Sequence, residues 1–251
     1  MRIVVGHLYP EYLNIYADRG NIAVLAKRAA WRAIELEVRA VSLGDPLVAG
    51  EHDLLYIGGG QDREQALVAP DLAARGDALR EVVAGGAAVL AVCGGYQLFG
   101  RFYRDQAGVE LPGAGVFDLH TTAGNRRMIG DVLLDCQLPP GVRRGLAGFE
   151  NHAGRTTLGP GAEPLGKVVA GFGNDGESGH EGCRLGRALG TYLHGPLLPR
   201  NPWLADLLLA WALAHRSGGE PPDLAPLDDE LETEAHEVAS GRARDRGGRF
   251  S

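Results

Sequence analysis

Cys93 is the residue of this 251-residue chain whose neighbours best suit a nucleophile. It follows the apolar run 87–92 and precedes Gly94-Gly95-Tyr96-Gln97-Leu98. In open α/β sheets chemistry gathers at the carboxyl ends of strands. A sharp strand-to-helix turn at such a place needs small neighbours, because the nucleophile's own backbone is strained. Ala91, Gly94 and Gly95 meet that need, and the start of a helix favours a thiolate. Cys136 and Cys183 lack this context and read as inert buried thiols. A cysteine nucleophile needs a base. His194, after 189–193 and before Gly195-Pro196, stands at the end of another short strand and is the best placed of eight histidines. The attacked carbonyl oxygen needs amide donors aimed at one point. Gly59 and Gly60, within Gly58-Gly59-Gly60, and Gly94 can present theirs without side-chain obstruction. Gln61-Asp62-Arg63 follows the triple glycine instead of Gly-Lys-Ser/Thr, which argues against a P-loop. His180-Glu181-Gly182-Cys183 finds no second ligand pair at suitable spacing, so no metal is expected.

These residues need a scaffold. Strands are expected over 2–9, 38–43, 53–57 and 87–92, with helices over about 22–36 and 71–84 between them. That alternation predicts an α/β fold with a largely parallel sheet covered on both faces. Asp18-Arg19-Gly20-Asn21 offers capping chemistry before the first helix. Shorter strands are expected near 129–134, 167–171 and 188–193. A last helix is expected to start at Asn201, with Pro202 in its first turn. Its Trp203, Leu204, Leu207, Leu208, Trp211 and His215 share one face, which reads as core packing.

Composition narrows the class. Asp and Glu total 32 against 25 Lys and Arg, a formal charge of −7, which counts against a broad nucleic-acid surface. Residues 217–251 hold nine acids and four arginines, so −5 of that charge belongs to them and −2 to the rest. That segment has few large apolar residues, and the expected organisation is one domain over 1–216 followed by a mostly disordered tail. The 38 glycines are about twice ordinary usage and point to many tight turns. Three cysteines cannot build a disulfide framework, the first apolar run is too short for a signal peptide, and no stretch could span a membrane. A cytoplasmic protein without direct membrane insertion is expected.

Taken together, these elements resemble the class I, triad-type glutamine amidotransferases, and more closely the branch with the cobyric acid and cobyrinic acid diamide synthases. Three further segments carry the likeness: Leu8-Tyr9-Pro10 through Asn14-Ile15-Tyr16-Ala17-Asp18-Arg19-Gly20-Asn21, Gly58 through Gln65, and Gly148-Phe149-Glu150-Asn151-His152-Ala153-Gly154-Arg155-Thr156. Size and motifs are most similar to the glutaminase subunits of lipid II isoglutaminyl synthases, and the resemblance covers about 1–215. It implies a flavodoxin-like three-layer α/β/α sandwich. It implies that Cys93 attacks the carboxamide of L-glutamine with His194 handling protons. Ammonia would pass to a Mur-ligase-like synthetase subunit in a hetero-oligomer that amidates the D-glutamate α-carboxylate of lipid II. ATP and magnesium belong to that partner, and this chain needs no cofactor. Arg127 matches a family arginine of substrate recognition and could hold an α-carboxylate bidentately. Gln97, just past the elbow, could line the pocket or face solvent.

One position departs from the family pattern. Most triad amidotransferases carry a glutamate two residues after the histidine, where it orients the imidazole; here Pro196 stands there. Asp18 and Glu150 are the in-chain candidates for the missing carboxylate, and the likeness favours an aspartate lent by the partner. Open alternatives are a stand-alone cysteine amidase of another substrate, an amidotransferase of a cobyrinate-type pathway, and a non-catalytic scaffold for a ligase.

Overall fold

The computed structural model describes residues 1–15, 19–138 and 141–246. From the amino terminus it runs β1 (Arg2–Leu8), α1 (Arg19–Ala30), β2 (Glu35–Val41), β3 (Leu54–Ile57), α2 (Asp62–Ala74), α3 (Gly76–Ala84), β4 (Ala88–Val92) and α4 (Gly94–Leu98). Then come β5 (Phe102–Arg104), β6 (Glu110–Pro112), β7 (Leu119–Leu138), β8 (Val142–Leu158), β9 (Gly166–Ala170) and β10 (His180–Glu181). The chain continues through β11 (Cys183–Leu185), β12 (Ala188–Thr191), α5 (Pro202–Ser217) and α6 (Glu230–Arg246). The main sheet has the order β11-β12-β4-β3-β1-β2, parallel throughout except for β11.

Strands buried on both faces explain this arrangement. In β4, Ala88, Leu90 and Val92 join one core while Val89 and Ala91 join the other. Leu54 and Tyr56 of β3 likewise oppose Leu55 and Ile57. The first core is closed by Leu25 and Ala29 of α1 with Leu204, Leu208 and Trp211 of α5. The second is closed by Val68 and Leu72 of α2 and Leu79 and Val82 of α3. The result is a three-layer α/β/α sandwich, as the sequence predicted.

A second sheet, β10-β9-β7-β5-β6 with β8 paired to β7, was expected only in fragments. Its spine is a long antiparallel pair, Leu119↔Leu158 through Leu138↔Val142, with a register shift between Ala123 and Met128. Boundaries also moved in the first sheet. The expected helix over 22–36 stops at Ala30, because Ala33 takes φ +53° while Ile34 N–H donates to Ala29 O and Ala33 N–H to Ala30 O. That is a Schellman ending built on alanine in place of the usual glycine, and β2 starts at Glu35 as a result. The helix expected over 71–84 is two helices broken at Arg75, and the first begins at Asp62, immediately after the glycine loop.

The expectation of a disordered tail over 217–251 is corrected for 230–246, which is α6. This helix buries Ser240 and two alanines, Ala239 and Ala243, the alanines against Leu133, Ala147 and Ala170. At about 0.8 kcal/mol per buried methylene, two alanines hold little, so polar ties carry the attachment. The His236 imidazole lies 2.9 Å from Arg200 O, and Arg32 Nε donates to Ala225 O at 2.7 Å. Arg28, 2 % exposed, bridges Asp206 of α5 and Asp229, each at 2.6 Å. Ties of this kind leave no hydrophobic period in the sequence to reveal them.

Candidate active site

Cys93 sits between β4 and α4 with φ +51° and ψ −110°. A non-glycine residue there is strained, and strain of this kind persists only where the surroundings impose it. They do so here: Cys93 N–H donates to Thr191 O of β12 at 2.8 Å, and Gln97 N–H to Cys93 O at 3.0 Å. Gly95 N–H donates to Gly58 O at 3.1 Å, pinning the elbow to the glycine loop. The glycines are required by space: a Cβ at Gly95 would lie 2.8 Å from Gly58 O, and one at Gly94 only 3.1 Å from Gly60 N. Gly94 and Gly60 therefore meet beside the thiol, where an oxyanion would need donors. Gly59 stands in the same loop, its carbonyl accepting from Ile15 N–H at 3.1 Å.

Cys93, Gly60, Gln97 and Arg127 all line one cavity of about 610 Å³. Arg127 sits at the register shift of β7 and is braced on β8, its Nε donating to Asn151 Oδ1 and its Nη2 to Asn151 O, both at 2.9 Å. Gln97 is buried and lines the cavity. Its Oε1 accepts from Gln65 Nε2 at 2.9 Å and its Nε2 donates to Tyr192 OH at 3.2 Å. Behind it the network continues through Thr156 and Thr121.

His194 follows β12, whose Thr191 pairs with Val92 of β4, so the parallel register brings both sequence-predicted residues to one sheet edge. Its amide donates to Phe149 O at 2.9 Å, and its ring meets the Phe149 ring edge-on. The side chain is 1 % exposed; burial, then the neighbouring His152 and Arg127, pushes its pKa down to about 4. The imidazole is therefore neutral at ordinary pH, the state a general base requires. Pro196 packs on Gly20, 2.9 Å from where a Cβ would stand. Position 196 thus serves contact with the amino-terminal segment.

Of the two in-chain carboxylate candidates, Asp18 lies outside the described residues. Glu150 is fully buried; Oε1 accepts from Phe172 N–H at 2.6 Å and Oε2 from Gly173 N–H at 3.0 Å. Oε2 also lies 3.6 Å from His152 Nε2. Glu150 is thus committed to the loop after β9 and to His152.

Sequence reasoning assigned no role to several cavity residues, among them Asp62, Tyr103, Asn151 and His152. His152 is stacked flat on Tyr192, 3.5 Å between ring centroids, with Nδ1 3.0 Å from Gly154 O. Burial lowers its pKa, with Glu150 opposing. A Cβ on Gly154 would come 2.5 Å from Gln97 Nε2 and 2.6 Å from Tyr192 OH. The quoted segments 58–65 and 148–156 contained most of these residues, but nothing in the linear pattern said which side chains turn inward. Among the described residues no group of three or more His, Cys, Asp or Glu could hold a metal, and no helix is long and apolar enough to cross a membrane.

This geometry can support attack by a thiol on a carbonyl, with a neutral imidazole at the same sheet edge and a guanidinium across the cavity. Residues 4–202 match the CobB/CobQ-like glutamine amidotransferase domain. The chain is 37 % identical over 241 residues to the GatD subunit of the glutamine-hydrolysing lipid II isoglutaminyl synthase of Staphylococcus aureus, covering 96 % of each chain. It is 37 % identical over 237 residues to the Streptococcus pneumoniae GatD subunit, covering 94 % of this chain and 90 % of that one. A cobyric acid synthase of Pelotomaculum thermopropionicum is 34 % identical over 194 residues, 72 % of this chain but 36 % of that protein. Among solved structures, a glutamine amidotransferase superposes with a TM-score of 0.55 at 19 % identity, over 83 % of this chain and 98 % of that one. The shared fold, the elbow at Cys93 and the sequence match agree: the chain belongs to the CobB/CobQ-like glutamine amidotransferase family.

Proposed function

We propose that this chain is the glutaminase subunit of a two-component enzyme that amidates lipid II. Cys93 Sγ adds to the side-chain carboxamide carbon of L-glutamine, and the amides of the Gly59-Gly60 loop and Gly94 receive the developing oxyanion. His194 takes the thiol proton and returns it to the departing nitrogen, the C–N bond breaks, and ammonia leaves a glutamyl thioester. Water, deprotonated by His194, hydrolyses the thioester to glutamate and restores the thiol. Arg127 holds the glutamine α-carboxylate, and Gln97 shapes the floor of the pocket. The ammonia passes to a Mur-ligase-like synthetase in the cytoplasm, which uses its own ATP and magnesium to activate the D-glutamate α-carboxylate of the lipid II stem.

The observation that carries this reading is Cys93 held at positive φ on the edge of a cavity that also contains Arg127. The near-complete mutual coverage with the GatD subunits favours the lipid II acceptor over cobyrinate-type chemistry, whose relatives are nearly three times the aligned length. Pro196 stands in the usual glutamate position and Glu150 is committed to the loop after β9, which favours a partner aspartate over Glu150 as the carboxylate that orients His194. Ammonia release from glutamine, measured with and without the co-purified synthetase, tests this. Weak activity alone and strong activity in the complex are expected, together with Cys93 labelling by a diazo-ketone glutamine analogue. Full activity of the isolated chain would refute the shared triad, and an unlabelled Cys93 would refute the amidotransferase mechanism.

A further inference from the structure

The cavity around Cys93 contains two guanidiniums, Arg63 and Arg127, and one carboxylate among its described lining residues, Asp62. Arginines alone would accept any carboxylic acid that carries a terminal amide. They would not distinguish glutamine from the same molecule without its α-ammonium, nor free glutamine from one acylated at nitrogen. Discrimination of that kind requires an acceptor, preferably anionic, at the place where the ammonium must lie.

Asp62 is built for such a task. It opens α2 directly after the glycine loop, so the element that presents Gly60 also presents this carboxylate. Its Oδ1 accepts from Tyr103 OH at 3.2 Å, and Tyr103 comes from β5 in the second sheet. Tyr103 is 3 % exposed, and burial followed by the neighbouring Asp62 charge pushes its phenol far above the ordinary range. It remains a donor at every working pH and holds the carboxylate in place. A carboxylate has about four acceptor positions, so one hydrogen bond from Tyr103 leaves ample capacity for a ligand. Arg127 reaches the cavity from β7, the strand that pairs with β5. The two charges are thus carried on separate elements of one pocket, a positive group for a carboxylate and a negative one for an ammonium.

From this arrangement we infer that Asp62 is a specificity-determining residue that receives the α-ammonium of the substrate, with Tyr103 as its positioning residue. The pocket then selects a free zwitterionic α-amino acid over an ω-amide of a plain dicarboxylic acid and over glutamine within a peptide. The inference rests on the proposed glutaminase reaction and adds which form of the amide donor is accepted.

The test compares three amides as substrates of the complete two-subunit complex: L-glutamine, glutaramate (glutamine without its α-ammonium) and N-acetyl-glutamine. Ammonia release gives kcat/KM for each, in the wild type and in Asp62→Asn. A hydrogen bond to a charged group corresponds to roughly 10- to 100-fold in such a ratio. The wild type should therefore prefer glutamine over glutaramate by at least ~10-fold, and Asp62→Asn should bring the two within about threefold. The glutamine loss should fall mainly on KM. Tyr103→Phe should shrink the preference by a smaller factor in the same direction. An unchanged preference in Asp62→Asn overturns the assignment, and so does an equal loss for both substrates, the mark of a purely structural role. A wild-type complex that releases no ammonia from glutamine overturns the glutaminase reading itself, an outcome distinct from either.

Discussion

Acid should unfold this protein partly through His194, and by a calculable amount. Its folded pKa is pushed down to about 4 from an ordinary 6.5 by burial, with His152 and Arg127 beside it adding to the shift. Between those values the unfolded imidazole carries a proton that the folded one refuses, so stability present at neutral pH is lost as pH falls through 6.5 toward 4. From pH 7 to pH 5 the loss from this one group is about 2 kcal/mol. His7 is lowered to about 4 in the same way, and burial also lowers His52 and His152, so the whole protein should lose more. Replacing His194 with Gln isolates one share. Urea unfolding of the wild type and His194→Gln at pH 7 and pH 5 gives the comparison, with equal m-values required. The variant should lose ~2 kcal/mol less than the wild type over that interval. Identical pH dependence in the two proteins would mean that the ring is not held neutral by its surroundings, and the general-base assignment would lose its electrostatic support.

Three further outcomes are expected. Gly95→Ala puts a methyl group 2.8 Å from Gly58 O and 2.8 Å from Ile57 Cγ2, so it should cost about 1–3 kcal/mol in thermal unfolding and displace the glycine loop. Ammonia release should fall about 100-fold with it, the scale of a lost oxyanion donor, and a fully active variant would contradict the placement of Gly60 and Gly94. Arg28→Met leaves Asp206 and Asp229 without their shared cation, although Arg32 still pairs with Asp206 at 2.7 Å. A loss of about 3 kcal/mol in urea unfolding is expected, and a change under 1 kcal/mol would show that the link between α1 and the carboxyl-terminal segment is not structural. Ala243→Glu forces a charge into the fully buried face of α6 and should release that helix, read as faster deuterium uptake over 230–246 with the rest of the chain unchanged.

Alanine at 33 shows why boundaries were harder to read than elements. The 22–36 pattern contains no glycine to mark the helix end, yet the chain turns there because Ile34 N–H and Ala33 N–H find the last carbonyls. The apolar runs of β1, β3 and β4 were legible because strands buried on both faces must be apolar throughout. The β7–β8 pair was not, since β7 buries its residues irregularly and the buried positions that alternate along β8, Gly148, Glu150, His152, Gly154 and Thr156, are not apolar. The charged carboxyl-terminal segment misled for a related reason. Its acids looked solvated, while two of its fixed points are Asp229 on a buried arginine some 200 positions away and a pair of alanines.

The sequence by itself determined the strained turn at Cys93. Cys93 between an apolar strand and two glycines has few other uses, because the constraint is local: small residues within three positions of a strained backbone. His194 was legible for a similar reason, as the end of a second short strand. Tertiary structure alone decided what surrounds them. Asp62 with Tyr103, His152 on Tyr192, and Glu150 held by Phe172 and Gly173 amides join residues from 22 to 41 positions apart, across two sheets. Such pairings follow from register and from which side of a strand faces inward. Neither is written in any local run of residues.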